Sequence, residues 1–175
     1  KKMKPYTIVK ATQTDLPTIH NMAQVAFRYT YREMLSKEQI DYMMDWMYSM
    51  PNLEKQLQEG HEYYIAMRND TPCGYLSVQY EGVGESGKEQ YHLQKIYLLP
   101  TEQGNGLGRI LFQKALEHVR KAAAGKPAVM RLNVNRDNTK AVAFYQHMGM
   151  EIVFRGDFHI GQGFYMTDYI MEMPV

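Results

Sequence analysis

The chain has 175 residues, a length suited to one domain, since a chain of this size buries roughly 70% of its unfolded surface. Twenty basic against nineteen acidic residues leave a formal net charge of +1 with no lysine or arginine block, which argues against nucleic acid or a membrane surface as partner. The single cysteine, Cys73, excludes an internal disulfide framework and fits a reducing cytoplasm, and the six histidines lack metal-ligand spacing, so no metal is expected.

Residues 1–10 are charged and lack the apolar core of a signal peptide, and no run approaches the ~18 apolar residues of a membrane span, so a soluble, cytoplasmic protein is expected. Tyr6 to Lys10 alternates as a strand does, and Thr14 or Asp15 caps a helix with Pro17 in its first turn. Ile19, Met22, Ala23, Ala26, Phe27 and Met34 keep the helical period to about Leu35, with a break predicted near Thr30-Tyr31. Ser36 and Gln39 form a capping box that opens a second helix through Met47, and a short third helix ends at Gly60. Tyr63–Met67 and Gly74–Tyr80 are strands joined by the polar turn Arg68–Pro72, and Glu81–Gln90 is a solvated loop with three glycines. Cys73, at a strand edge, is a small core residue rather than a nucleophile.

The organising stretch is Tyr91 to Gly125. An apolar strand from His92 to Leu99 stops at Pro100, which cannot donate to a sheet ladder. Gln103-Gly104-Asn105-Gly106-Leu107-Gly108-Arg109 follows, and Leu107, Ile110, Leu111, Ala115, Leu116 and Val119 then recur as one helix face up to Gly125. Three glycines in five residues allow a tight turn, and the helix start offers unpaired N–H groups and a partial positive charge, so the predicted occupant is a pyrophosphate. The alternating glycines are not the dinucleotide fingerprint, and no Gly-Lys-Ser/Thr follows to make a nucleoside triphosphate loop. Beyond it, Ala128–Asn135 is a strand, Asp137 or Asn138 caps a helix carrying Tyr145, and Glu151–Phe154 with Tyr165–Met173 close the sheet as an antiparallel pair. The order predicts a mixed α/β (α+β) fold.

Gln103-x-x-Gly106-x-Gly108 after Leu-Leu-Pro resembles the acyl-coenzyme A pyrophosphate loop of the GNAT N-acetyltransferase superfamily. Asn138, Ala141, Phe144-Tyr145 and Gly149 resemble that family's second helical block. The resemblance implies one domain over residues 4–173, with about seven mostly antiparallel strands flanked by helices, and acetyl-CoA as co-substrate. It further implies that backbone groups of Gln103 to Arg109 hold the pyrophosphate and those near Ile96 and Leu98 pair with the pantetheine arm. Asn138 approaches the cofactor, or simply caps its helix, and Tyr145 donates to the departing sulfur. A phenol near pKa 10 is nearly balanced against a thiolate of comparable basicity. Where many members place a glutamate base, this chain has His92, and an imidazole with an ordinary pKa near 6.5 is a competent base at neutral pH.

The acceptor pocket implied by the resemblance falls near Tyr31, Glu33, Asp41, Asp157, His159 and Asp168. The N-terminal pattern is similar to the spermine/spermidine acetyltransferase branch, so the expected acceptor is a small-molecule primary amine, a polyamine first, by direct transfer in a ternary complex. A protein N-terminal or antibiotic amine acetyltransferase is the nearest alternative, and a non-catalytic acyl-CoA-binding sensor module is the alternative of another class. Exposed edges at the C-terminal hairpin favour a homodimer.

Overall fold

The computed structural model describes residues 5–175, so the expected domain start at residue 4 lies outside the described residues. The elements are β1 (Thr7–Lys10), α1 (Leu16–Tyr31), α2 (Lys37–Tyr48), α3 (Met50–Gln58), β2 (His61–Arg68), β3 (Thr71–Val83), β4 (Glu89–Leu98), α4 (Leu107–Ala123), β5 (Ala128–Asn135), α5 (Thr139–His147), β6 (Glu151–Gly161) and β7 (Phe164–Pro174). The strands form one seven-stranded sheet in the order β1-β2-β3-β4-β5-β7-β6. β1/β2, β2/β3, β5/β7 and β6/β7 pair antiparallel, whereas β4 and β5 run parallel. The expected α/β class and mostly antiparallel sheet are therefore what the chain forms. The contacts divide it into two compact units, one holding residues up to Gln79 with Lys95–Ala115, the other Tyr80–Gln94 with Leu116–Val175.

In the first unit the apolar stripe of α1 is buried through Leu16, Ile19, Ala23, Ala26 and Phe27, as its helical period requires. The helix ends at Tyr31, at the predicted break and short of the Leu35 that its period suggested. Thr30 Oγ1 donates to the Ala26 carbonyl at 2.8 Å, and the Met34 and Leu35 N–H groups fold back on the Tyr31 carbonyl. The predicted cap is corrected at the other end. A 3-10 turn over Gln13–Asp15 precedes α1, and the Asp15 carboxylate accepts from the Thr12 N–H at 2.8 Å instead of capping the helix it adjoins. Ser36 caps α2 by accepting from the Gln39 N–H at 3.1 Å. Cys73 is buried, its thiol donating to the Ala66 carbonyl, and burial pushes its pKa up to about 11, which suits a core residue and not a nucleophile.

The hairpin turn Asn69-Asp70 has both residues at positive φ, the conformation that matches strand twist. In the second unit β6 and β7 turn in the same manner at Gln162-Gly163. Strand ends differ from the sequence expectation, most of all around the loop after β3 and at the end of β6. β3 runs on to Val83 and β4 begins at Glu89, so the Glu81–Gln90 loop shrinks to residues 84–88. β6 continues to Gly161 because β7 supplies ladder partners as far as Gly161↔Phe164, despite the polar Arg155-Gly156-Asp157. β6 is one edge of the sheet and exposes Ile152, Val153 and Phe154.

Candidate active site

After β4 the backbone makes a 3-10 turn over Pro100–Glu102, and Gln103 to Gly106 then feed α4. Gly104 and Gly106 both take φ of +82°, a left-handed angle that disfavours any residue with a Cβ. A Cβ built at either position meets nothing within 4 Å, so it is the backbone angle and not crowding that requires glycine. Open space beside a backbone that turns twice is what a large anion needs for close approach. Gly108, the third glycine, lies inside α4. The Ile110 N–H closes on the Gly106 carbonyl at 3.2 Å, which leaves Leu107, Gly108 and Arg109 as the first turn, where N–H groups have no intrahelical acceptor. Seventeen residues of helix stand behind that end. Ile96 and Leu98 belong to the last turns of the pleat in β4, in the same unit as the loop.

Glu102, which sequence reasoning passed over, anchors this turn. It is 4% exposed and accepts hydrogen bonds from Tyr6 Oη at 2.7 Å and from the Arg68 guanidinium at 2.6 Å. Burial by itself would raise its pKa, but the donors outweigh burial and hold the carboxyl below the ordinary glutamate value. A depressed folded pKa means the contribution to stability is complete above the unfolded value near 4.3 and lost as pH falls through the folded one. Glu102→Ala is expected to cost about 2 kcal/mol at pH 7. The difference from wild type shrinks towards pH 3, and urea titrations at the two pH values check it.

In the second unit Asn138 caps α5, its Oδ1 accepting from the Ala141 N–H at 3.3 Å. The approach to that cap is fixed by Asn135, whose Oδ1 accepts from the Asp137 N–H at 2.8 Å and whose carbonyl accepts from the Asn138 N–H. Tyr145 follows two turns later on α5, 9% exposed, with its ring 5.5 Å from that of Phe144. His92 lies on β4 with Nδ1 3.3 Å from the Glu81 carboxylate of β3. Glu81 is a second residue that the sequence reading missed, because the loop assigned to it gave it no partner.

The sequence profile of the acetyltransferase (GNAT) family matches residues 18–150. The chain belongs to that family. Among relatives, an uncharacterized N-acetyltransferase of Methanocaldococcus jannaschii is 25% identical over 154 residues, covering 85% of this chain and 62% of the relative. The peptidyl-lysine N-acetyltransferase YjaB of Salmonella typhimurium is 30% identical over 101 residues, covering 58% of this chain and 57% of the relative. This chain thus spans about three-fifths of the length of these two curated relatives. Its fold is also similar to that of the PaiA N-acetyltransferase of Thermoplasma acidophilum, solved in complex with coenzyme A, with a TM-score of 0.75 at 23% identity over 97% of this chain and 98% of the other.

Against the family frame, the residues expected around the acceptor fall into distinct settings. Tyr31 Oη lies 3.0 Å from Tyr97 Oη, and both rings pack on Phe27. The Glu33 side chain is 85% exposed, 3.9 Å from Arg32. Asp41 is held by Arg28 at 2.6 Å and Lys37 at 2.8 Å, and Asp157 by Arg136 at 2.9 Å, so both carboxylates already face cations. His159 stacks at a tilt on Tyr165. Asp168 is buried, its pKa raised by burial against the lowering effect of Asn133 and Arg136. Among the described residues no cluster of histidine, cysteine and carboxylate side chains is arranged to hold a metal ion, and no helix is long and apolar enough to cross a membrane.

Proposed function

We propose that the chain is an acetyl-CoA-dependent N-acetyltransferase that moves an acetyl group directly to a primary amine within a ternary complex. The observation that carries the reading is the pair of left-handed glycines, with open space beside each, leading into the amino end of α4 in a chain of this family. Bound acetyl-CoA supplies the activated thioester. Backbone groups from Gln103 to Arg109 hold its pyrophosphate, and Ile96 and Leu98 align its pantetheine arm by main-chain pairing. The coenzyme A in the PaiA structure supports acetyl-CoA as the co-substrate. His92 takes the proton that the attacking amine must lose, and Tyr145 Oη gives a proton to the sulfur as the C–S bond breaks and the C–N bond forms. Asn138 combines its helix cap with an approach to the cofactor.

The acceptor is a primary amine on a flexible alkyl chain, a polyamine first, with Tyr31 and Glu33 beside it. The peptidyl-lysine activity named for the Salmonella relative supports a second reading, a lysine side chain in a peptide. Cytoplasmic location belongs to the same proposal, and the apolar β6 edge supports a homodimer. Release of free thiol from acetyl-CoA across polyamines, lysine peptides, peptide N-termini and aminoglycosides tests the function. Turnover with spermidine selects the first reading and turnover with lysine peptides the second, whereas acetyl-CoA binding with no turnover on any amine selects the sensor module. The double variant Gly104→Ala/Gly106→Ala weakens acetyl-CoA binding about thirtyfold by calorimetry, because each alanine disfavours the left-handed turn that receives the pyrophosphate by about 1 kcal/mol.

A further inference from the structure

The contact between His92 and Glu81 joins two neighbouring strands and sits in a defined electrostatic frame. The His92 side chain is 16% exposed and that of Glu81 35%, so both reach solvent while remaining held by the sheet. On the other side of His92, its register partner on β5 is Arg131, whose Nε lies 3.3 Å from Glu172 Oε2 on β7. The β5 cation therefore has a carboxylate of its own within ion-pair distance, although its Nε makes no hydrogen bond. Tyr80, next to Glu81 on β3, is occupied with Glu89, to which its hydroxyl donates at 2.9 Å. Of the two carboxylates nearest on β3 and β4, only Glu81 meets the imidazole at Nδ1.

We infer that Glu81 is the positioning residue for the base. Its carboxylate accepts the Nδ1 proton of His92, which fixes the neutral imidazole as the tautomer with its lone pair on Nε2, and it steadies the imidazolium formed when Nε2 takes the amine proton. A ring nitrogen that donates to a carboxylate leaves the other nitrogen as the acceptor, and the negative charge favours the protonated product of the transfer. Glu81 itself gains and loses no proton in the cycle. The inference rests on His92 acting as the base, and its test separates the two.

The test uses Glu81→Gln, His92→Ala and the double variant, with three readouts. Glu81→Gln is expected to lower kcat about tenfold, with acetyl-CoA affinity unchanged. The imidazole 15N shifts of His92 report its tautomer without any turnover, and they change from one tautomer in the wild type to a mixture in Glu81→Gln. Adding Glu81→Gln to His92→Ala is expected to cost nothing further, because a residue acting through another is silent once the other is gone. An additive loss in the double variant overturns the positioning role, as does a single tautomer that persists in Glu81→Gln. An unaltered rate and pH profile in His92→Ala overturns the base itself, and the tautomer readout still tells whether Glu81 orients the ring.

Discussion

In Tyr145→Phe, kcat falls about 100-fold or more while acetyl-CoA binds within about a factor of two of the wild-type affinity. The substitution removes one oxygen and keeps the ring. Tyr145 is buried on α5 and its ring meets Phe144, and the turn after it is closed by the Met150 N–H on the Tyr145 carbonyl, a main-chain bond that no side-chain change removes. Packing and helix geometry therefore survive, and any loss of rate reports the hydroxyl. If the phenol protonates the departing sulfur, the loss appears in kcat and kcat/KM together, since that interaction exists only as the C–S bond breaks. Unchanged turnover removes Tyr145 from the mechanism, and loss of acetyl-CoA binding makes it a binding residue instead.

Replacing Lys95 with methionine is expected to raise stability at pH 7 and to flatten its rise towards pH 10. Lys95 is 5% exposed on β4, and its Nζ donates to Gln56 Oε1 at 2.6 Å and to Tyr63 Oη at 2.5 Å. The same nitrogen sits 4.8 Å from the centre of the Tyr48 ring and 5.1 Å from that of Tyr63. Burial without a carboxylate among these partners lowers its pKa to about 7. The unfolded lysine titrates near 10.4, so between about pH 7 and pH 10 the unfolded chain binds more protons and stability rises with pH, by at most about 1.4 kcal/mol per unit.

Above about pH 10 the slope reverses, because burial raises the folded pKa values of Tyr48, Tyr63 and Tyr75, and the unfolded phenols then ionise first. Lys95→Met removes the lysine's contribution and leaves the Tyr63 hydroxyl its bond to Gln56 Oε1 at 2.5 Å. Denaturant midpoints of both proteins at pH 7, 8.5 and 10 check the prediction. A wild-type midpoint that does not move over this range, or a variant with the same slope, contradicts it.

The placement of these two residues in the sequence differs in how readable it was. Tyr145 follows a capping asparagine by seven positions inside a periodic segment, and local rules sufficed to put it on a helix after a strand. Lys95 stands in an apolar run where its alternation with Leu93 and Tyr97 gave no sign that its amine would lie under α3. That depends on where Gln56 and Tyr63, 39 and 32 residues away, come to rest.

The same division holds across the chain. The strand Ala128–Asn135, the caps at Ser36 and Asn138, the glycine turn before α4 and the end of α1 near Tyr31 were set by near neighbours in sequence, through ladder-breaking proline, side-chain caps, left-handed glycines and helical period. The family resemblance rested on those local signals, and the family profile spans them. The tertiary structure decided what depends on pairing between distant segments. It extended β3 past Tyr80 and β6 past Phe154, brought Glu81 to His92, buried Glu102 between Tyr6 and Arg68, and paired Asp41 and Asp157 with arginines. Strand length and the partner of a charged side chain are set by whichever backbone lies alongside, and a one-dimensional pattern carries the period of a segment but not the identity of its neighbour.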